Sequence, residues 1–386
     1  MFSPELRKLA KMLGLFAAPF ALVWFTELFI LPVDFFTFRV WESVLVMPSK
    51  PGEIHTPEAT SDPFRLSGPF YPRMHIRKNE VGHLAAGTPG AVRKSVEWWT
   101  DRYGYRKRDG GPDPDIVIIG DSFTVGSGIT QEDMLSEVLT RLLGREAYPF
   151  APAGINAFLG DERFRLLPPR AVVLALSERQ FYSVEKLGGG AGTGDKSVFD
   201  TPRWKPLGET LKYNRIIQAA LVTANRAMRS NLYEYLMARL WDVKPGEFGR
   251  RKRGKNGMIF DIGPGSNGDP TPEAAKRLVS RISEYRKQLE GRGMRFLFMA
   301  IPNKESFYYK EALNGKKPRI IGYLNRELRA RGVEVIDLWG ELDRAHALKG
   351  MPIYLADDSH WDAGGANVAA EALATAIRGR GTGRSR

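Results

Sequence analysis

The fold this sequence predicts is a three-layer α/β/α sandwich around a mostly parallel five-stranded sheet, and three observations predict it. Short, strongly apolar runs recur at Ile116–Ile119, Ala147–Phe150, Ala171–Leu176, Arg295–Ile301 and Val333–Asp337. Most lack an alternating polar face, as expected of strands buried on both sides. Helical patterns separate them, at Met134–Leu143, Thr271–Leu289 and Ile320–Ala330, and the alanine-rich stretch Ala363–Ile377 closes the series. Strands alternating with helices argue for a parallel sheet covered on both faces.

Taken in order, the chain opens with an address. Leu13 to Leu31 is almost wholly apolar, with Glu27 its one charged residue. Extended to Phe36 it is long enough to span a bilayer. Arg7, Lys8 and Lys11 precede it, which places the N-terminus in the cytoplasm by the positive-inside rule. The run exceeds a signal-peptide core and no small-x-small cleavage site follows, so residues 1–36 read as a cytoplasmic stub and an uncleaved anchor. A buried core helix is the competing reading. Glu27 is costly in lipid and suits a surface facing a partner helix.

Residues 37–110 read as a linker and packing extension. A short strand is expected around Val44–Val46, and Ser49–Gly68 has the Pro, Gly, Ser and Thr content of a linker. Pro69–Asp109 carries Tyr71, His75, Gly82, His83, Trp98, Trp99 and Tyr103, and reads as irregular structure with short strands beside the main sheet. Residues 111–378 form the expected catalytic domain. Its rhythm breaks at about 183–268, far more chain than a parallel crossover needs. Ser183–Lys196 is Gly-rich, Leu211–Trp241 is apolar at helical spacing, and Arg250–Gly268 is basic. This stretch reads as a helical insertion, either a cap over the sheet edge or padding. Thr271-Pro272-Glu273 then supplies a cap, a proline and an acid for a helix start. Residues 379–386 read as a disordered basic tail.

Composition narrows the function. The chain lacks cysteine, so neither a disulfide framework nor thiolate chemistry applies. No metal-ligand spacing, P-loop or dinucleotide fingerprint stands out, and no cofactor is expected. The formal charge of +13 includes the cluster Arg250–Arg253. No nucleic-acid module accompanies it, so an acidic polymer or an anionic lipid surface is the expected partner rather than nucleic acid.

The candidate chemistry begins at Gly120-Asp121-Ser122, where a buried strand meets a helix start. In open α/β sheets the carboxyl end of a strand is where ligands bind. A serine there has its N–H free to face a developing oxyanion, although a plain helix cap reads the same way. Near the other end stands Asp357-Asp358-Ser359-His360-Trp361. A serine nucleophile needs a base, and the base needs a carboxylate to orient it. Ser122 and His360 are the expected nucleophile and base, and either Asp357 or Asp358 can orient His360.

Together these motifs resemble the SGNH (GDSL-type) hydrolase superfamily, with the nucleophile in a GDS turn after the first strand and the base in a late Asp-x-x-His segment. The resemblance implies a flavodoxin-like sheet and favours Asp357 as the orienting acid; relatives with Asp-x-His-Trp would point to Asp358. It implies an oxyanion hole from the N–H groups of Ser122 and Gly154. After the third strand the superfamily's Gly-x-Asn-Asp is replaced by Ser177-Glu178-Arg179, so Arg179 or Ser177 is expected to replace the missing side-chain donor, unless Glu178 and Arg179 merely form an ion pair. Asp121, Ser177, Asn303, Lys304 and Trp361 are expected to line the substrate.

The Glu178-Arg179 pair, Ile301–Tyr308 and residues 357–361 are similar to the polysaccharide O-acetylation proteins related to AlgX and AlgJ. In those the base segment precedes the serine, whereas here it follows, so the resemblance rests on local motifs. It implies acetyl transfer to an exported glycan, acidic or neutral, outside the bacterial cytoplasmic membrane, with the acyl group delivered by a multipass membrane O-acyltransferase. An esterase with the same triad is the alternative. A non-catalytic adaptor that binds glycan through Trp98, Trp99 and Tyr103 is a third reading.

Overall fold

A computed structural model of the chain describes residues 3–26, 53–55, 75–85, 92–183, 251–262, 269–350 and 352–379, with isolated residues at 30, 70, 73, 232, 236 and 240. The strand expected at Val44–Val46, most of the 183–268 insertion and the tail 380–386 lie outside the described residues, and so does the linker at Ser49–Gly68 except for Glu53–His55, which form a strand instead.

The first helix, α1 (Pro4–Phe25), is 22 residues long and has no buried residue. It is apolar and long enough to cross a membrane. It starts earlier than the sequence predicts, because Ser3 caps it and Pro4 sits at its first position, so Arg7, Lys8 and Lys11 fall within the helix. The segment from Glu27 to Phe36 is, apart from Ile30, outside the described residues.

Three strands then form an antiparallel sheet in the order β1 (Glu53–His55), β2 (His75–Val81), β3 (Arg93–Trp99). In β3 Val96 and Trp98 are buried while Arg93 and Ser95 face out, the alternation of a half-buried strand.

The main sheet follows: β4 (Ile116–Gly120), β5 (Ala147–Phe150) and β6 (Ala171–Ser177), then, after the short antiparallel pair β7 (Arg251–Arg253) and β8 (Ile259–Asp261), β9 (Arg295–Ile301) and β10 (Glu334–Ile336). The order β10-β9-β6-β4-β5 is parallel throughout. Counting only these five strands it is the 2-1-3-4-5 order of flavodoxin-like folds. Every residue of β4, β5 and β6 is buried.

Alternate residues feed the two faces. Ile116, Ile118, Val173, Leu297 and Met299 pack with α3 (Leu135–Leu143), α10 (Leu338–Lys349) and α11 (Ala363–Gly379). Val117, Ile119, Val172, Leu174, Phe296 and Phe298 pack with α4 (Ile155–Gly160), α5 (Glu162–Leu166), α6 (Pro272–Glu290) and α9 (Ile320–Ala330). Each fully buried Ile, Val or Leu contributes about 1.5–3 kcal/mol relative to an exposed one. Three short pieces complete the elements used below: α2 (Ser122–Val125), α7 (Lys304–Phe307) and α8 (Tyr309–Ala312). The sequence pattern missed α4, α5, α7, α8 and α10.

Candidate active site

Ser122 opens α2 at the carboxyl end of β4. β4 lies between β5 and β6, so Ser122 stands where the strand order reverses, the switch point at which α/β sheets bind ligands. The turn is tight for a specific reason. A Cβ on Gly120 would sit 2.2 Å from the Thr124 hydroxyl oxygen and 2.7 Å from the Ala175 carbonyl. Asp121 caps α2 through the Phe123 N–H at 3.0 Å, and its other carboxylate oxygen accepts from the Ser177 hydroxyl at the end of β6. Ser177 is fully buried, so it braces the turn from within and does not line the substrate as expected.

His360 reaches Ser122 from the opposite end of the chain. Its Nε2 lies 2.7 Å from Ser122 Oγ and its Nδ1 lies 2.6 Å from Asp358 Oδ1, which also accepts the His360 backbone N–H at 3.0 Å. An ionised carboxylate only accepts, so Nδ1 carries the proton and Nε2 is left to receive the serine's. Burial would push the Asp358 carboxyl up, but hydrogen bonds from His360 and His83 outweigh it and hold the group well below the usual carboxylate range. Hydroxyl, imidazole and carboxylate in this sequence can perform nucleophilic acyl transfer.

The orienting contact therefore belongs to Asp358 and corrects the expectation for Asp357. Asp357 turns the other way: Oδ1 is 2.6 Å from Lys94 Nζ, and Oδ2 accepts from Gly82 N–H and Val92 N–H at 2.9 and 3.0 Å. Asp357 thus joins the base loop to the ends of β2 and β3.

Two other expectations change. Lys304 does not face the substrate. It is fully buried in α7, and its Nζ donates to the carbonyls of Leu355, Ala356 and Asp358 at 2.7, 2.9 and 3.0 Å. Burial pushes this ammonium down to about 8. It clamps the base loop from beneath. Trp361 is also fully buried, edge-on to Phe123 at 5.2 Å, and belongs to the core under the site. Asn303, the residue before Lys304, is also buried, its N–H donating to Glu178 Oε2 at 3.0 Å.

Arg179 lies on the site's rim. Its Nη2 donates to Ser359 Oγ at 2.9 Å, and its guanidinium is 5.9 Å from the Phe123 ring centre. Glu178 turns inward to Asn303, so the pair is split across the end of β6. Gly154 caps α4, next to the nucleophile turn through the bond from Ala153 N–H to the Gly120 carbonyl at 3.0 Å. A Cβ on Gly154 would meet nothing within 4 Å, so the space before it is open.

The segment before the main domain contributes more than sequence reasoning assigned to it. Arg106 is buried, and its guanidinium donates to the carbonyls of Val125, Gly126 and Ile129 at 3.0, 2.6 and 2.6 Å, fastening the loop after the nucleophile helix. His83 brings both its backbone N–H, at 3.0 Å, and its Nδ1, at 3.1 Å, to Asp358 Oδ2. The sequence signal was there in Gly82-His83: a Cβ on Gly82 would lie 2.0 Å from the Asp357 carbonyl oxygen, so only glycine lets β2 approach the base loop this closely. The donor atoms of His83, Asp358 and His360 lie within 4.8 Å of one another, near enough for a metal ion, but they already bond to each other at 2.6 and 3.1 Å.

The aromatics proposed as a glycan platform are covered. Trp98 is buried, Trp99 is stacked on His75 at 4.5 Å with Arg108 3.5 Å from its ring centre, and Arg163 lies 3.9 Å from the Tyr103 ring. A cavity of about 260 Å³ beside Tyr103 lies toward the amino ends of β4 and β5, away from Ser122. Its cations are paired with acids, Arg102 with Asp109, Lys107 with Glu146 and Arg163 with Asp161.

A family model described as "SGNH hydrolase-like domain, acetyltransferase AlgX" matches residues 266–385, which contain Asp358 and His360 but not Ser122. Among solved structures, the chain is similar to a protein described as lipolytic, of the G-D-S-L family, from Desulfitobacterium hafniense DCB-2, at 10% identity and a TM-score of 0.33, over 68% of this chain and 98% of that one. It is also similar to an acetyl xylan esterase, Est2A, from the rumen bacterium Butyrivibrio proteoclasticus, at 9% identity and a TM-score of 0.29, over 86% and 98%. With both TM-scores under 0.5, these two likenesses add nothing to the reading of the site. No curated protein matches the chain.

Proposed function

We propose that the chain, whose residues 266–385 match a family model described as an SGNH hydrolase-like domain of acetyltransferase AlgX, is a serine acyltransferase that moves acetyl groups onto hydroxyls of an exported polysaccharide. The observation that supports this reading is the line Ser122 Oγ, His360 Nε2 at 2.7 Å, then His360 Nδ1, Asp358 Oδ1 at 2.6 Å.

In the first half-reaction Ser122 Oγ attacks the acyl carbonyl and its proton passes to His360 Nε2. The N–H groups of Ser122 and Gly154 receive the oxyanion, with Arg179 near enough to the rim to add positive charge. The donor's leaving oxygen takes the proton from His360, and the acyl group stays on Ser122. In the second half-reaction a sugar hydroxyl gives its proton to His360 and attacks the acyl carbonyl; the bond to Ser122 Oγ then breaks, His360 returns the proton to Ser122 Oγ, and the acyl group leaves on the sugar oxygen. Asp358 stabilises the imidazolium in both.

We further propose that α1 anchors the protein in the bacterial cytoplasmic membrane with the N-terminus inside and the domain outside. Its apolar surface is exposed all round, as a lipid-facing helix requires. A multipass membrane O-acyltransferase would hand over the acyl group, and the basic surface suits an acidic acceptor.

The test gives the full chain in detergent a chromogenic acetyl ester together with oligosaccharide acceptors, and measures acetyl on sugar against free acetate. Transfer to an acceptor supports the reading. Acetate alone, whatever the acceptor, makes the protein an esterase. No turnover, together with failure to react with a fluorophosphonate, leaves the adaptor.

A further inference from the structure

We propose that His83 is a positioning residue of the acyl-transfer site: it holds one oxygen of Asp358 so that the other meets the base. The inference rests on the reading of Ser122, His360 and Asp358 as the acyl-transfer machinery.

A buried aspartate has two oxygens and one free rotation. Unless one oxygen is fixed, the other is not aimed. Here Oδ2 accepts from two donors of one residue, the His83 backbone N–H at 3.0 Å and the His83 imidazole Nδ1 at 3.1 Å. Oδ1 accepts from two donors of another, the His360 backbone N–H and imidazole Nδ1. The carboxylate is thus clamped between two imidazoles whose rings stand edge to face with centres 5.7 Å apart. Asp358 is nearly buried, so lone pairs left without donors there would be costly.

The His83 side chain is 46% exposed, so it adds little to the core. The attachment of its strand to the base loop is made without it, by Gly82 N–H and Lys94 on Asp357 and by Leu84 N–H on the Asp357 carbonyl at 3.2 Å. What the His83 ring adds is a second donor on Oδ2.

The variants that test this are His83→Ala, which removes the side-chain donor, and His83→Asn, which restores a donor near the position of Nδ1. Loss of one hydrogen bond to a charged group predicts a kcat lowered about tenfold to a hundredfold in His83→Ala, with KM within about twofold. His83→Asn should recover most of the loss. A merely structural role would not move a second readout, the far-downfield proton resonance of His360 Nδ1–H. It should shift or broaden in His83→Ala and return in His83→Asn. Unchanged kcat and an unchanged resonance in a folded His83→Ala protein overturn the inference. So does a kcat loss that His83→Asn fails to recover while the resonance stays put. If the wild-type protein turns over no ester, the acyltransfer reading fails, yet the resonance still reports whether His83 holds Asp358.

Discussion

Asp357 Oδ1 lies 2.6 Å from Lys94 Nζ, across 263 residues of chain, and this pair separates two adjacent acids into different jobs. Asp357 holds the N-terminal sheet to the base loop; Asp358 faces the base. Asp358→Asn should therefore lower kcat on the order of ten-thousandfold, the size of effect known for a triad aspartate. Asp357→Asn should cost about 3 kcal/mol of stability, the cost of breaking a buried pair, with a smaller kinetic loss. Steady-state kinetics and thermal melts on both variants check this.

Gly82→Ala should uncouple the same junction. The added Cβ would lie 2.0 Å from the Asp357 carbonyl oxygen and 2.3 Å from its carbon, both backbone atoms. The cost is expected at roughly 1–3 kcal/mol or more, as for overpacking at a tight site. Limited proteolysis should show earlier cleavage between β2 and β3 than in the wild type.

Arg106 fastens the loop that follows Ser122. Arg106→Met keeps the stem and strips the charge from three carbonyls. A loss of about 2–4 kcal/mol is expected from leaving these acceptors unmet. The Tm should fall and acylation of Ser122 should slow, whereas Arg165→Met, at an exposed pair with Glu162, should leave both unchanged.

Glu178 sets a pH dependence. Burial raises its carboxyl to about 7, outweighing the bond from Asn303 N–H. The folded state then holds a proton that the unfolded chain releases near 4.5. Stability contributed by this group is present below about 4.5, falls as pH rises through the window to about 7, and is flat above it. The loss is on the order of 3 kcal/mol at neutral pH. Glu178→Gln should be the more stable protein at pH 8, and its advantage should shrink toward pH 5, read by denaturant melts at the two values.

What the sequence made legible follows from how local each cause is. Three of the five core strands announced themselves because Ile116–Ile119, Ala171–Leu176 and Arg295–Ile301 are apolar runs buried almost throughout, a pattern carried within each run. Helix α6 announced itself through Thr271, Pro272 and Glu273. The short helices α7 and α8 and the weakly amphipathic α10 had no such signature. At the site, Ser122 and His360 stood out by residue type and by their places at the ends of elements. The choice between Asp357 and Asp358 did not, because it depends on Lys94, Gly82 and His83, which only the fold brings near. Lys304 read as a substrate ligand because a lysine in such a motif usually meets solvent; here three backbone carbonyls of the base loop replace the water. Trp361 misled for the same reason, since nothing local shows that Phe123 covers it.

In the proposed reaction Ser122 is a nucleophile activated by His360 on Asp358. Peptide mass mapping after reaction of the folded protein with a fluorophosphonate tests it without any assumption about donor or acceptor. A single adduct is expected, on Ser122, and its rate of formation should fall by roughly a thousandfold or more in His360→Ala. An adduct on another residue, or none on a folded protein that still turns over acetyl esters, would contradict it.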